Sequence, residues 1–241
     1  MTSKNSENDS LVSVIIINFN GGDYILDCVD SVTKTTNSNF EVILIDNNST
    51  DNSSNLCKDK FDQIRLFQSD KNLGMAARNI GLDNAKGKFI VFLDADTVVE
   101  PNWLSVLLDS YKKHGSGLYQ GKLLKKDDPT VIESCGDMAN VFGTGFARGR
   151  GEKDTGKFKT FQKITFPVGG CTFGPSEVFK EIGYVDESEL FFLMLDDLDY
   201  GWRAWLLGIP SYYEPKCIIY HVGSPILKWS SKKFFYMERN R

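Results

Sequence analysis

The fold is decided by the stretch Val12-Ser13-Val14-Ile15-Ile16-Ile17-Asn18-Phe19-Asn20, an almost unbroken run of β-branched residues that ends in polar ones. Such a run is typical of a parallel strand that is buried on both faces. The same pattern recurs at 40–45 and 88–93, and more weakly at 64–67. Helical spacing is seen at about 23–35, 52–60 and 75–85, and Pro101 opens a further helix. Strands that alternate with helices predict right-handed βαβ crossovers, and hence an α/β fold with a doubly wound, mostly parallel sheet.

The pattern changes in the C-terminal half, where residues 117–170 hold short β-like pieces and many glycines. We expect a mixed-sheet extension there, followed by helices at about 175–182 and 196–207 and by a last strand at 217–222. The chain then divides into a disordered tail, a single domain of two halves and an aromatic, basic C-terminal helix. These parts are predicted at 1–10, at 11–225 (with halves 11–113 and 114–225) and at 226–241.

The composition excludes several classes of protein. A formal net charge of −4 offers no general attraction to nucleic acid, so we expect no nucleic-acid partner. Five cysteines, an odd number without a CxxC pair, fit neither a disulfide framework nor a zinc site and favour a cytoplasmic protein. No stretch approaches the roughly 20 apolar residues that a membrane-spanning helix needs. The first ten residues also lack the apolar core of a signal peptide.

Polar clusters follow the predicted strands directly. Asn18 and Asn20 end the first strand, Asp46 to Asp51 follow the second, and Asp94-Ala95-Asp96 follow the fourth. A single such cluster is ordinary loop polarity. Several clusters at the carboxyl ends of parallel strands share one edge of the sheet, which is where open α/β sheets bind ligands. Asp46 is there placed to accept a hydrogen bond from a base or a ribose hydroxyl.

Asp94 and Asp96 suggest a metal site. Alternation along an extended segment puts both carboxylates on one side, with the small Ala95 between them. Two carboxylates aimed into a cleft repel each other unless a hard cation such as Mg²⁺ or Mn²⁺ lies nearby. Such a cation neutralises the charge that develops on a diphosphate leaving group. His221 is a candidate third ligand if the fold returns it to Asp96, and otherwise it is a structural histidine.

Two helix starts carry further candidates. Arg78 lies one turn into the helix at 75–85 and is placed either to bind phosphate oxygens or to form a surface ion pair. Asp196 and Asp197 open the helix at 196–207, where carboxylates are stabilised by the helix dipole. They serve either as simple caps or as a general base toward an acceptor hydroxyl.

These motifs, in this order, resemble the inverting glycosyltransferase family 2, whose members have the GT-A fold, and within it a rhamnosyltransferase-like subgroup. The resemblance covers about residues 11–225. The matching motifs are Val12–Asn20, Asp46–Asp51, Asn72-x-Gly74 with Ala77-Arg78-Asn79-x-Gly81, Phe92–Asp96, Gly169-Gly170-Cys171, Gly183–Glu187, Asp196–Arg203 and His221-x-Gly223-Ser224.

The resemblance implies roles for individual residues. It makes 11–113 the nucleotide-binding half and 114–225 the acceptor-binding half. It implies that Asp96 and His221 hold the metal and that Asp197 is the base, although Asp196 stands where the family usually has Glu, so either acid is a candidate. Trp202, Arg203 and Gly170 are expected near the acceptor or pyrophosphate pocket. The predicted donor-binding residues are Asn18, Asn20, Asp46, Asn48, Arg78, Asp94 and Ala95.

The implied reaction is a single in-line displacement at the anomeric carbon of a nucleotide-diphosphate sugar, with UDP and dTDP sugars favoured, Mg²⁺ or Mn²⁺ as cofactor and inversion of configuration. The acceptor is expected to be a hydroxyl of a glycan or a lipid-linked molecule. The alternatives are an inactive nucleotide-sugar-binding or scaffold module and a sugar nucleotidyltransferase. The latter is disfavoured because residues 18–23 lack a basic, glycine-rich loop.

The aromatic, basic segment at 226–241 has two interpretations. Lysines interleaved with Trp229, Phe234, Phe235 and Tyr236 have the composition of an interfacial helix, which predicts peripheral contact with the cytoplasmic face of a membrane. The alternative is a helix that packs on the domain. Because related enzymes commonly continue past this point, we expect the sequence to be a truncated form of a longer chain.

Overall fold

The computed structural model describes residues 10–140, 142, 144–187, 192–223 and 230–240. Within these residues, ten strands form one sheet and two more form a separate hairpin. The first four strands are β1 (Val12–Asn18), β2 (Phe40–Asp46), β3 (Ile64–Gln68) and β4 (Phe89–Asp94). They are parallel and lie in the order β3-β2-β1-β4, which is the doubly wound half that the β-branched runs predict.

Helices cover both faces of this sheet because side chains alternate along each strand. Val14 and Ile16 of β1 face a core built with α1 (Gly22–Thr33), α2 (Ser53–Lys60) and α4 (Trp103–His114). Ile15 points the other way, into a second core. That core is completed by a 3₁₀ turn (Gly74–Ala77), α3 (Arg78–Asn84), α5 (Ser176–Ile182) and α6 (Asp196–Leu206).

The C-terminal half extends the sheet with mixed pairing. β11 (Cys171–Pro175) runs antiparallel to β4, β6 (Leu118–Lys125) follows it, and β12 (Ser211–His221) runs parallel to β6. Shorter strands lie around this extension, and helix α7 (Ser231–Arg239) follows β12 in the chain. The short strands are β5 (Thr97–Val99), β7 (Ile132–Ser134), β10 (Gln162–Ile164) and the hairpin of β8 (Asp137–Ala139) with β9 (Gly145–Ala147).

The apolar pattern of the sequence does not reveal the full length of β6 and β12, because both strands bury polar side chains. Gln120 of β6 is fully buried, and it donates to Ser134 Oγ (2.8 Å) and accepts from the backbone N–H of Val168 (2.8 Å). Glu214 of β12 is 8% exposed and accepts from Ser110 Oγ at 2.9 Å. These partners are distant in sequence, so a local pattern does not reveal that the polar residues are buried in strands. β12 therefore begins six residues earlier than its apolar run indicates.

The α/β fold with a mixed C-terminal sheet is therefore confirmed. In the part of the chain that the structure describes, no helix has the length and apolar character needed to cross a membrane. The division of the domain into two halves stays a prediction. Several predicted features lie outside the described residues: nearly all of the tail at 1–10, Ser224 of the last motif, Trp229 and the end of the 226–241 segment.

Candidate active site

The polar ends of the parallel strands meet at one edge of the sheet. Asn18 stands opposite Asp46 in the register of β1 and β2, and Ile17 stands opposite Asp94 in the register of β1 and β4. The loops that follow these strands are therefore neighbours, as the sequence predicts for the carboxyl edge of an open sheet.

Asp94, Asp96 and His221 converge although His221 lies more than 120 residues further along the chain. β5 brings them together, because Thr97 pairs with His221 in the antiparallel ladder of β5 and β12. His221 Nε2 lies 3.2 Å from Asp96 Oδ1. One potential ligand atom from each of the three residues lies within 4.8 Å of the others.

The donor set of this cluster fits a divalent cation. Mn²⁺ binds both carboxylate oxygens and imidazole nitrogen, whereas Mg²⁺ prefers the carboxylate oxygens. His221 Nδ1 is buried and has no hydrogen-bond partner among the described residues. Burial lowers the pKa of His221, but the hydrogen bond to Asp96 and the charges of Asp96 and Asp94 outweigh it, so the pKa lies above its usual value. The negative field that raises this pKa is the field that would attract a metal ion.

Arg78 joins the end of β4 to the start of α6. Its side chain is 5% exposed, with Nη2 3.0 Å from Asp94 Oδ1 and Nη1 3.1 Å from Asp196 Oδ2. Nη2 also donates to the carbonyl oxygen of Gly169 at 3.2 Å, and the guanidinium lies over the Phe92 ring. The alternative of a surface ion pair is wrong, because this pair is buried. Contact of Arg78 with a diphosphate stays a prediction.

Asp196 and Asp197 have different surroundings on the first turn of α6. Asp196 is 8% exposed and is held by Arg78. Asp197 is half-buried, and its carboxylate accepts from the backbone N–H of Leu198 (2.8 Å) and of Gly169 (3.4 Å). Burial raises the pKa of both carboxyls, and the charge of Asp197 raises the pKa of Asp196 further. Burial likewise raises the pKa of Asp94, against the opposing effect of Arg78.

The segment that leads into α6 has an unusual backbone. Met194 and Leu195 both adopt positive φ, 69° and 63°, and Leu195 is the N-cap of the helix. A left-handed conformation at a residue other than glycine costs of order 1–3 kcal/mol and persists only where surrounding contacts hold it. The direction in which α6 starts is thus fixed by contacts outside the segment itself.

The asparagines after β1 and β2 shape the loops. Asn18 is fully buried, with Nδ2 donating to Ser53 Oγ (2.8 Å) and Ser54 Oγ (2.7 Å). Its side-chain amide is thus bound inside the protein, and contact of Asn18 with a donor stays a prediction. Asn20 has φ 53°, and its Oδ1 accepts from the backbone N–H of Thr50 at 2.7 Å, which ties the first loop to the second.

The other predicted donor-binding residues lie at the same edge. Asp46 is 9% exposed, and its Oδ1 accepts from the backbone N–H of Ser49 at 3.1 Å. Asn48 has φ 64°, a turn conformation that asparagine tolerates. Ala95 packs against the core between the two aspartates. Their contacts with a nucleotide stay predictions.

Arg203 is bound within the protein. Its Nε and Nη2 bind Asp199 Oδ2 (3.0 and 2.9 Å), and Nη1 donates to the Ile182 carbonyl oxygen (2.9 Å). The guanidinium therefore joins α6 to α5, and its predicted place near the acceptor or pyrophosphate pocket stays a prediction. Trp202 is 36% exposed and stacks on Trp205, with ring centroids 5.2 Å apart.

Gly170 lies close to Asp94, and its predicted place at the acceptor or pyrophosphate pocket stays a prediction. A Cβ at this position would be 4.0 Å from Asp94 Oδ2 but only 2.7 Å from Leu123 Cδ2. The absence of a side chain thus lets the Gly169-Gly170 turn approach the carboxylates closely.

Two residues at the site were missed by sequence reasoning. Asn47 is 2% exposed, donates to the carbonyl oxygen of Gly74 (3.0 Å) and accepts from the backbone N–H of Leu73 (2.8 Å). Its place in the polar run after β2 was a usable signal. Asp137 is 7% exposed, and burial raises its pKa to about 7, a shift to which the charge of Asp197 contributes. Nothing in the sequence around Asp137 marks it.

The fold is similar to that of GT-A glycosyltransferases. The family model described as glycosyl transferase family 2 matches residues 13–183. The chain belongs to glycosyl transferase family 2.

Solved structures share the fold at low sequence identity. The chain superposes on the crystal structure of GalNAc-T7 with UDP, GalNAc and Mn²⁺ with a TM-score of 0.72 and 21% identity, covering 89% of this chain and 44% of that one. The crystal structure of S. aureus TarS gives a TM-score of 0.65 and 20% identity, covering 89% of this chain and 37% of that one.

Curated relatives are glycosyltransferases from bacteria. GlyG of Streptococcus pneumoniae is 32% identical over 123 residues, which are 49% of this chain and 40% of that protein. The uncharacterized glycosyltransferase RC0461 of Rickettsia conorii is 34% identical over 163 residues, covering 57% of this chain and 26% of that protein. The chain therefore spans less than half the length of both relatives.

Proposed function

We propose that this chain transfers a sugar from a nucleotide-diphosphate donor, with UDP or dTDP sugars favoured, to a hydroxyl of a glycan or lipid-linked acceptor, with inversion of configuration. The observation that carries the proposal is the convergence of Asp94, Asp96 and His221. Asp197 is linked to this cluster through Gly169, which binds Asp197 through its N–H and, through its carbonyl oxygen, the Arg78 side chain that pairs with Asp94. GalNAc-T7, whose fold this chain shares, was crystallised with UDP, a sugar and Mn²⁺.

The metal-assisted part of the proposal rests on chemistry that the residues can supply. Asp94, Asp96 and His221 would hold Mn²⁺ or Mg²⁺, and a bound cation neutralises the charge that builds on the departing diphosphate. Asn18 binds Ser53 of α2, and Asn20 binds the loop after β2. These contacts support a preformed place for a base or ribose beside Asp46. A preformed site of this kind loses little entropy on binding.

Asp197 is the carboxylate that we propose as general base. Asp196 is paired with Arg78, whereas Asp197 is more exposed and its hydrogen-bond partners among the described residues are backbone N–H groups. Asp197 takes the proton of the acceptor hydroxyl as its oxygen attacks the anomeric carbon, while the bond from that carbon to the diphosphate oxygen breaks. Attack from the face opposite the leaving group inverts the configuration. Burial raises the pKa of Asp197, which makes it a stronger base for the incoming proton.

Thermal unfolding in the presence of UDP, GDP and dTDP sugars tests donor binding. With Mn²⁺ present, a donor at about 100 times its Kd adds about 2.7 kcal/mol of stability. An active enzyme should also hydrolyse the donor slowly when no acceptor is present. Addition of a chelator, or the variant Asp96→Asn, should abolish both this hydrolysis and the increase in melting temperature. Stabilisation that is identical with chelator, together with no hydrolysis, would favour the alternative of a non-catalytic binding or scaffold module.

We further propose a cytoplasmic location with peripheral membrane contact through α7. All five cysteines are free and buried, in keeping with a reducing compartment. Phe234 and Phe235 are 53% and 58% exposed on α7, next to the exposed Lys232. Flotation with anionic vesicles tests the membrane contact. Binding to the vesicles should weaken in a Phe234→Ser, Phe235→Ser double variant. A wild-type chain that does not float with the vesicles would contradict the proposed contact.

A further inference from the structure

Helix α7 is joined to the segment that precedes the base. The side-chain amide of Asn240 donates from Nδ2 to the carbonyl oxygens of Leu193 (2.8 Å) and Met194 (2.7 Å). Its Oδ1 accepts from Arg239 Nε at 3.0 Å, which fixes the orientation of the amide. The Tyr236 ring lies against Phe192, with centroids 5.9 Å apart.

The same segment is also held by the start of the 3₁₀ turn. The backbone N–H of Met75 donates to the Phe192 carbonyl oxygen at 3.0 Å. Gly74 has φ 60°, and a Cβ there would lie 1.9 Å from that oxygen. Residues 192–195 are therefore bound by both the 3₁₀ turn and the end of α7, and we call these contacts the clamp.

The clamp coincides with the strained part of the backbone. Met194 and Leu195 are the two left-handed residues, and Asp196 and Asp197 follow them directly. The first helical hydrogen bond runs from the Asp199 N–H to the Leu195 carbonyl oxygen, so the carbonyl oxygens of Leu193 and Met194 lie outside the helix and need donors from elsewhere. Asn240 supplies donors to two consecutive carbonyl groups of this stretch.

We propose that Asn240 is a positioning residue, which selects the conformation of residues 192–195 in which Asp197 faces the metal cluster. The inference rests on the proposed function of Asp197 as the base. Asn240 would not touch the substrates. It acts on the base through the backbone of Met194, and without its amide the segment relaxes to ordinary φ values that start α6 in another direction.

The variant Asn240→Asp tests this role, because it keeps the size of the side chain and removes both donors. We expect kcat for transfer to fall by about 10–100-fold, the effect of misplacing a catalytic group by a fraction of an ångström to about 1 Å. The affinity for UDP with Mn²⁺ should stay within about twofold, since the residues proposed to bind them do not contact Asn240. Asn55→Asp on α2 is the matched control, since Asn55 is exposed and the charge change is identical.

Hydrogen exchange gives a readout that does not depend on activity. The amides of Met75 and Asp199 donate to the carbonyl oxygens of Phe192 and Leu195, so they report whether the segment is held. Both should exchange about tenfold or more faster in Asn240→Asp and at the wild-type rate in Asn55→Asp. A wild-type chain that transfers no sugar would overturn the proposed function, while the exchange rates still decide whether Asn240 holds the segment.

A second substitution tests the mechanism of the clamp. Glycine adopts positive φ freely, so Met194→Gly in the Asn240→Asp background should recover about threefold or more of the lost kcat. Unchanged kcat and exchange in Asn240→Asp would overturn the proposal. So would a loss of kcat that is matched by loss of UDP binding and of melting temperature, because that pattern marks a general structural role.

Discussion

Replacing Arg78 by Met should lower the free energy of unfolding, because Arg78 lies at the centre of the ion pairs of the site. The guanidinium is the shared partner of Asp94 and Asp196, at 3.0 and 3.1 Å, and it also binds the carbonyl oxygen of Gly169. Methionine keeps much of the length and apolar contact of the side chain, including its position over Phe92, but it leaves two carboxylates in a desolvated place without a cation.

The magnitude follows from the burial of the pair. Removing one partner of a buried ion pair costs about 3–5 kcal/mol, since the remaining charge is left uncompensated. The loss should depend on pH. Burial already raises the pKa of Asp94 and Asp196, and without Arg78 both folded-state values rise further above the unfolded ones. Stability is then greatest at low pH and falls as pH rises through the folded values, so the variant should be less destabilised at pH 5 than at pH 8.

Urea unfolding at both pH values measures this, with Arg65→Met as the control. Arg65 pairs with Glu41 at 2.6 Å but its side chain is 31% exposed, so its loss should cost about 1 kcal/mol or less. A cost below about 1 kcal/mol for Arg78→Met, or the same cost at pH 5 and pH 8, would refute the view that Arg78 is the electrostatic centre of the site.

Three further outcomes are expected. Asp96→Asn and His221→Ala should each weaken Mn²⁺ binding by about 10–100-fold, as measured by electron paramagnetic resonance, and retention of full affinity in His221→Ala would remove it as a ligand. Asp137→Asn should raise the free energy of unfolding by about 2–4 kcal/mol at pH 8 and by little at pH 4, because the folded pKa of about 7 makes ionised Asp137 destabilising above that pH. Gly201→Ala should cost about 1–3 kcal/mol in urea unfolding, since its Cβ would lie 2.1 Å from Phe166 Cβ, and a neutral effect would show that α6 is loosely packed.

The part of the fold that sequence predicts well is the part made by local patterns. β1, β2 and β4 are apolar on both faces and therefore read directly as buried parallel strands. The carboxyl edge follows from that topology, and with it the neighbourhood of Asp46, Asp94 and Asp96. The resemblance to family 2 supplied what pattern alone left open, such as the return of His221 to the site.

The remaining features depend on long-range contacts that no local pattern records. Gln120 is buried in β6 because Ser134 and Val168 satisfy it, and its polarity hides the strand. Arg203 pairs with Asp199, four residues earlier on the same helix, and also binds the carbonyl oxygen of Ile182, a partner that the sequence does not reveal. The left-handed turn at Met194 is invisible in a stretch of apolar residues, since the donors that stabilise it come from α7.

Transfer by the variant Asp197→Asn decides whether Asp197 is the base that accepts the proton of the acceptor hydroxyl. The amide keeps the shape of the side chain but cannot take the acceptor proton, so kcat should fall by about 10²–10⁴-fold while the affinity for the donor with Mn²⁺ is unchanged. Asp199→Asn, on the same helix and paired with Arg203, should stay close to wild type. Normal turnover by Asp197→Asn would show that Asp197 is not the general base.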